Sequence, residues 1–402
     1  SNCYFYYRMN SASFADSCSS TSAGGSLSAT GATYDASGGY IAGGGDMDGS
    51  NDYFEGSDTG LDITADWSFE AWINTDDSDD GAIFFVGDKD ASTTNTNELS
   101  IGFATGDELE ICYSDDAFAE CGIGDRARTG GGSDPEADFN TNKWYHIAVV
   151  HDDSATDVTI FINGKTFVTD STIDISSAPS GSNDIYFGES DFSDHGDFDG
   201  QMDEMRMVNY EKRAFAAGLM ISKIVPSTNS ITIYNNNPDT TSGSDNDMSL
   251  TGIEIYKDGD DTPACTFSGG IEYQATKTIT SCTLDVDDGI YMSDANPANS
   301  GGSSGDETFR WVIDAVCWNN DGEEIDSVCE AGEDMILAGV WGADSAIDGS
   351  ASSEIYQLKT NGNNDEGVSD WEAIPEFGTL LMPIASVLLI VGYNYRRRET
   401  EA

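Results

Sequence analysis

One local pattern recurs along this chain and few folds can use it: an alternating apolar run, a tight turn, and a second alternating run. Its clearest instance is Val158-Thr-Ile-Phe-Ile-Asn163-Gly164, which turns directly into Lys165-Thr-Phe-Val168. Asn-Gly favours a type I′ turn, because both residues tolerate positive φ and the twist matches two paired strands. Ser68-Phe-Glu-Ala-Trp-Ile73 alternates as well, with Phe69, Ala71 and Ile73 on one face and Trp72 on the other. Ala82–Val86, Trp144–Val150, Ile185–Gly188 and Gln201–Met207 are further strand-like runs. The best helix or connector candidate is 210–220, and no long helical periodicity appears elsewhere. Many short strands without such a pattern predict an all-β chain built as a sandwich or jelly roll.

A chain of 402 residues predicts two or three domains. Its 17 basic and 73 acidic residues leave a net charge of −56. Such a surface repels nucleic acid and anionic lipid headgroups, so no nucleic-acid partner is expected. It suits salty water, where carboxylates keep the protein solvated, or a setting rich in divalent cations. Asp46, Asp48 and Asp52 share one Gly-rich stretch, and Asp191, Asp194, Asp197 and Asp199 share another. Flexible carboxylate loops favour calcium. Asp46, Asp48, Asp194, Asp197 and Asp199 are therefore the expected ligands of a structural calcium, the one cofactor anticipated, although neither stretch has EF-hand spacing.

The cysteines fall in four sequence-neighbouring pairs: Cys3 with Cys18, Cys112 with Cys121, Cys265 with Cys282, and Cys317 with Cys329. An even count without CxxC predicts disulfides formed outside the cytoplasm, in one of many connectivities. Zinc is disfavoured, because the chain has only three His, none at ligand spacing from a Cys. The chain opens Ser1-Asn2-Cys3 with neither Met nor a signal peptide, which fits a removed leader or a start inside a longer protein. No Asn-x-Ser/Thr sequon occurs, so solubility falls to the carboxylates.

Residues 377–395 carry no charge, and Arg396-Arg397-Arg398 follow at once. As a helix, such a run spans roughly 28 Å, near the hydrocarbon thickness of a bilayer. The Arg cluster places the C-terminus inside and everything before it on the extracellular face of the membrane. Pro375-Glu376-Phe377, the apolar run and the Arg cluster resemble the PEF-type C-terminal sorting signals of archaeal surface proteins. That resemblance implies an archaeosortase-type processing enzyme, loss of the tail near Pro375 and lipid attachment of the mature end.

Phe69-Glu-Ala-Trp-Ile73, Lys143–Val149, Ile160–Lys165, Ile185–Gly188 and Phe198–Arg206 occur in the order of the laminin-G-like, concanavalin-type jelly roll, which they resemble. This domain is expected over residues 24–215, after an N-terminal Cys-paired segment at 1–23. The resemblance implies a two-sheet sandwich that binds glycan or protein ligands and sometimes holds calcium. The fold also carries glycoside hydrolases, whose retaining members need two carboxylates about 5 Å apart. No Glu-x-Asp-x-x-Glu strand is present, Asp107–Glu110 has the wrong spacing, and the His residues of the 24–215 segment have no GxSxG motif within it. No enzyme is expected, and Asp203-Glu204 is read as bending a strand.

Ile221–Pro226, Leu250–Ile255, Val312–Asn319 and Ser369-Asp-Trp371 resemble a lamin-tail-type domain, an immunoglobulin-like sandwich, here placed at 219–358. Trp311, Trp318 and Trp341 are read as its core, residues 359–374 as a short stalk, and 375–402 as the sorting signal with its transmembrane helix. The leading reading is a non-catalytic adhesion or recognition protein of the archaeal cell surface. Its partners would be a glycan or surface-protein ligand and the membrane through the C-terminal helix. A structural part of a cell-envelope lattice is the alternative, and an extracellular glycoside hydrolase the third.

Overall fold

A computed structural model describes most of residues 3–294 and four later strand segments, 312–319, 347–348, 355–358 and 371–374. Within 3–294 it leaves aside 10, 17, 19–24, 41–42, 59, 78–79, 90–95, 105–107, 115–125, 131–138, 181–183, 193, 213–214, 216–217, 237–247, 258–261, 273 and 285–287. Two β-sheet assemblies follow one another along the chain.

The first contains β1 (Cys3–Tyr7), β2 (Ser28–Thr30), β3 (Thr33–Asp35), β4 (Gly44–Asp48), β5 (Tyr53–Ser57), β6 (Trp67–Thr75), β7 (Gly81–Gly87) and β8 (Glu98–Ala104). It continues with β9 (Glu108–Ser114), β10 (Arg126–Arg128), β11 (Trp144–Asp152), β12 (Asp157–Ile162), β13 (Lys165–Asp170), β14 (Asp184–Phe187) and β15 (Asp199–Val208). An eight-stranded sheet runs β13-β12-β11-β6-β15-β4-β3, with β1 also pairing β15. A seven-stranded sheet runs β10-β9-β8-β7-β14-β5-β2. The N-terminal strand thus completes this sandwich instead of standing apart from it.

The two sheets share one core. Phe69, Ala71 and Ile73 of β6 point into it, as their alternation predicts, beside Tyr145, Ile147 and Val149 of β11. Phe84, Ile101 and Phe187 meet them from the other sheet. Phe5 and Phe69 both lie against Phe84, whose ring stacks 4.7 Å from Phe69. Each fully buried large side chain of this kind contributes about 1.5–3 kcal/mol of transfer free energy. The β12–β13 hairpin turns at Asn163 and Gly164, with φ of 49° and 75°, so the Asn-Gly turn has the predicted hand. On β15 the register against β6 shifts between Asp203 and Arg206, where Glu204 takes a φ of 51°. A bulge there bends the strand, as expected of Asp203-Glu204.

The segment after β15 is not helical in its described residues and leads into a strand, Leu219–Val225. This strand belongs to a five-stranded sheet with Ser230–Asn235, Thr276–Thr280, Ile355–Leu358 and Trp371–Ile374. A second five-stranded sheet contains Pro263–Thr266, Ile253–Lys257, Asp288–Asp294, Val312–Asn319 and Ile347–Asp348, the last pairing in parallel. Ile221, Ile224, Ile231 and Ile233 pack with Ile253, Ile255, Ile290, Met292 and Trp318 in a single cluster. Trp318 is fully buried, a core residue as its sequence suggested; Trp311 and Trp341 lie outside the described residues.

Disulfides join Cys3 to Cys18 and Cys265 to Cys282. Cys112 is also disulfide-bonded, while Cys121, Cys329 and the side chain of Cys317 lie outside the described residues. So do Pro375, Glu376, Phe377, Arg396, Arg397 and Arg398. No described helix is long and apolar enough to cross a membrane.

Candidate binding site on the eight-stranded sheet

Strand alternation sends one set of side chains from the eight-stranded sheet into the core and the other outward. The outward set forms transverse rows, because register aligns it from strand to strand. At one end of the sheet Trp144 pairs with Asn74, Asn74 with Gln201, Gln201 with Asp46, and Asp46 with Thr33. One aromatic residue and three hydrogen-bonding side chains thus lie side by side across β11, β6, β15 and β4. Asn74 donates from Nδ2 to Gln201 Oε1 at 3.4 Å, and Gln201 in turn bonds the Asp46 carboxylate. Trp144, Asn74 and Gln201 are partly exposed and Asp46 is exposed.

The next row holds His146, Trp72 and Asp203. Tyr40 stacks flat on Trp72, with centroids 3.5 Å apart and planes 8° from parallel, and stands 6.1 Å from Trp144 at a steep angle. The preceding glycines allow that placement. A Cβ on Gly39 would lie 2.0 Å from Gly43 O and 2.9 Å from Asp203 Oδ2, and one on Gly38 would lie 2.7 Å from Gln201 Nε2. Only a chain without side chains presses this closely on the sheet. Tyr40 and Trp144 therefore wall the row of amides and carboxylate.

The third row is ionic and buried. Glu70 receives Arg206 Nε at 2.5 Å and Lys212 Nζ at 2.6 Å on Oε1, and His146 Nε2 at 3.0 Å on Oε2. Burial would push the Glu70 carboxyl up, but Arg206 and Lys212, aided by His146, hold it well below the usual carboxylate range. Burial lowers the His146 imidazole despite Glu70. Beside this row Tyr6 donates a short hydrogen bond to Glu204. Burial raises Glu204 to about 7, with Arg8, the Tyr6 bond and Arg206 opposing. Ser68 Oγ fixes the following segment by donating to Tyr210 O and accepting from Lys212 N, both at 2.8 Å. Phe215 then packs on Ala148, Val150 and Phe161. That end of the sheet is covered, whereas Trp144, Asn74 and Gln201 at the other end keep partial exposure.

Of the expected calcium ligands, Asp46, Asp48 and Asp199 fall at the same end of the sandwich. Asp48 pairs with Asp199 across β4 and β15, and Asp197 Oδ2 accepts from Asn51 N at 2.8 Å. Asp46, Asp48 and Asp199 stand on strands instead of loops, while Asp194 lies on the segment before β15. Burial, with Asp76, Asp77, Asp48 and Asp46 nearby, raises the Asp199 carboxyl. Among the described residues no three His, Cys, Asp or Glu side chains close into a metal-holding group.

Ser100, His195 and Glu110 meet on the outer side of the other sheet in the order nucleophile, base, carboxylate. Ser100 Oγ lies 2.7 Å from His195 Nδ1, and His195 Nε2 lies 3.6 Å from Glu110 Oε1. All three are 0% exposed. The Ser100–His195 bond ties the segment bearing His195 to β8. Gly102 makes the room, since a Cβ there would lie 3.0 Å from His195 Cγ. His151 bonds Ala65 O at 2.8 Å, also a packing role.

Residues 48–214 match the family described as the Concanavalin A-like lectin/glucanases superfamily. This part of the chain is a concanavalin A-like jelly roll. No curated protein sequence matches the chain at a significant level. Among solved structures, domain 4 of AbnA, a GH43 extracellular arabinanase from Geobacillus stearothermophilus, in complex with arabinotriose, is similar at 17% identity. The match covers 52% of this chain and 93% of that one, with a TM-score of 0.38. The Ruminococcus gnavus IT-sialidase CBM40 bound to α2,3-sialyllactose is similar at 13% identity over 37% of this chain and 79% of that one, TM-score 0.29. The SAP-like pentraxin from Limulus polyphemus is similar at 12% identity over 36% and 64%, TM-score 0.27. The family match and the sheet order carry the assignment.

Proposed function

We propose that this protein is a surface-displayed, non-catalytic glycan-binding protein, with its binding site at the Trp144 end of the eight-stranded sheet. The observation that carries this reading is the row Trp144–Asn74–Gln201–Asp46 beside Tyr40. Sugars present C–H faces, which pack on aromatic rings, and vicinal hydroxyls, which amides and carboxylates bond in pairs. A row of this composition on rigid strands suits that chemistry without any nucleophile. The nearby carboxylates Asp46, Asp48, Asp194, Asp197 and Asp199 are proposed to take calcium as a structural ion.

In this reading the second unit is a lamin-tail-like spacer, a role supported by its two sheets around Trp318 and the Cys265–Cys282 disulfide. The 375–402 tail is proposed to be an archaeal sorting signal that holds the protein at the extracellular membrane face, supported by its Pro-Glu-Phe, apolar and Arg order. A glycan array with the full chain tests the binding function. Binding lost in Trp144→Ala and Asn74→Ala, at unchanged melting temperature, supports it; binding retained in both variants overturns the site. An intact mass of native protein that ends at Ala402 would sink the processing of the tail.

A further inference from the structure

Resting on the membrane-anchor reading of the tail, we propose that the second unit sits directly on the lipid headgroup layer, on the end of its sheet where Ile374 lies. Two independent features point there. The first is reach. Trp371–Ile374 is an edge strand paired with Ile355–Leu358, and its last residue, Ile374, still lies opposite Ile355. Only Pro375 and Glu376 separate it from the uncharged run that starts at Phe377. Three residue steps extend to about 10 Å at most. The polar layer outside a bilayer's hydrocarbon is about 5–8 Å thick on each side. A strand end tied this closely to the apolar run lies at the headgroups.

The second feature is the make-up of that end. Tyr356, next to Ile355, lies opposite Ile224; Val225 lies opposite Ser230, and Ser230 opposite Thr280. The five strands therefore end at one level. The turn between Val225 and Ser230 exposes Ser227, Thr228 and Asn229, and beside it Thr280, Ser281 and Thr283 are exposed. None of these six is charged, in a chain with 73 acidic residues. Hydroxyls and amides both donate and accept, which suits the phosphate and glycerol oxygens of headgroups, and no carboxylate among them repels lipid phosphate. Asn229 makes the surface rigid. Its carbonyl accepts from Ser281 N and Cys282 N at 3.0 Å each, its Oδ1 accepts from Leu284 N at 3.3 Å, and Cys282 is bonded to Cys265. The carboxylates stand back: Glu372 lies two residues before Ile374, opposite Gln357, and Asp288 and Asp348 belong to the other sheet. The unit thus leans on the membrane with the sheet that carries Ile374.

The test uses the full chain in phosphatidylcholine vesicles that contain a lipid spin-labelled at its headgroup. Thr228→Cys and, separately, Thr283→Cys carry a fluorophore at the proposed contact, and Thr276→Cys carries it away from the contact. Among the described residues no free cysteine competes for the label. All three positions are exposed, and melting temperatures check that each labelled chain is folded. The expected result is quenching at 228 and 283 about twofold or more above that at 276, which lies about 13 Å back from Thr280 along one strand. In phosphatidylglycerol vesicles Ser281→Asp should lower the quenching at 228, because a carboxylate then faces anionic headgroups. Chain that floats with the vesicles but is quenched no more at 228 and 283 than at 276 overturns the seating and leaves the anchor standing. Folded chain that does not float with the vesicles overturns the anchor reading and the seating with it.

Discussion

Substituting Lys212→Met tests how the chain seals the covered end of the eight-stranded sheet. Lys212 is 2% exposed and its ammonium lies 2.6 Å from Glu70 Oε1, which Arg206 shares at 2.5 Å. At an effective dielectric near 20, a unit pair at this separation attracts by roughly 6 kcal/mol. Most of that offsets the desolvation of the ammonium, and Met retains the packing of its stem. Breaking a buried pair typically costs about 3–5 kcal/mol. Because Glu70 keeps Arg206 and His146, the expected cost is about 2–4 kcal/mol at pH 7. The pH dependence has a definite sign. Glu70 is held below its unfolded value, so its stabilisation is present above roughly pH 4.3 and lost as pH falls through the folded value. Lys212→Met moves the folded value up, so the gap between the two proteins is widest above about pH 5 and closes on acidification. Urea unfolding at pH 7 and near pH 3.5, with hydrogen exchange of β6 and β11 peptides to isolate this sandwich, measures both effects. A cost below about 1 kcal/mol, or one that stays constant over this range, would refute the account.

Glu204→Gln should flatten a pH slope of opposite sign. Its folded value, about 7, lies above the unfolded one, so its contribution favours folding below about pH 4.3 and fades as pH rises towards 7; melting curves from pH 4 to 8 should fall less steeply in the variant. Replacing Cys265 and Cys282 by Ser opens a link across a sequence separation of 17 and should cost about 3 kcal/mol, read as an earlier unfolding of the second unit. Trp318→Ala should cost about 3–5 kcal/mol in that unit and leave glycan binding in the first sandwich unchanged. If calcium binds the Asp46–Asp199 region, millimolar calcium should raise the melting temperature over chelator; equal values would remove the ion from the proposal.

How much of this was legible in the sequence follows from the range of the interactions. Asn163-Gly164 specifies its hairpin with two residues, and the alternation of Phe69, Ala71 and Ile73 against Trp72 sorts inner from outer faces on β6. Both are local. The row Trp144–Asn74–Gln201–Asp46 draws one residue from each of four strands, and only the order β11-β6-β15-β4 brings them together. No spacing along the chain encodes that order. The one available hint was that Asn74 and Trp72 share the outward phase of β6, as Gln201 and Asp203 do on β15. For the same reason Asp46, Asp48 and Asp199 read as loop carboxylates: in a chain this acidic, an Asp on a strand looks like any other Asp. Glu70 shows the opposite failure. Its phase matches Trp72, which predicts an exposed carboxylate, yet it is 3% exposed. What buries it is a basic residue 142 positions later, anchored through Ser68. In a chain of 17 basic and 73 acidic residues, Arg206 and Lys212 converge on one carboxylate. That convergence closes one end of the sheet, while Asp46, Asp48 and Asp199 gather at the other.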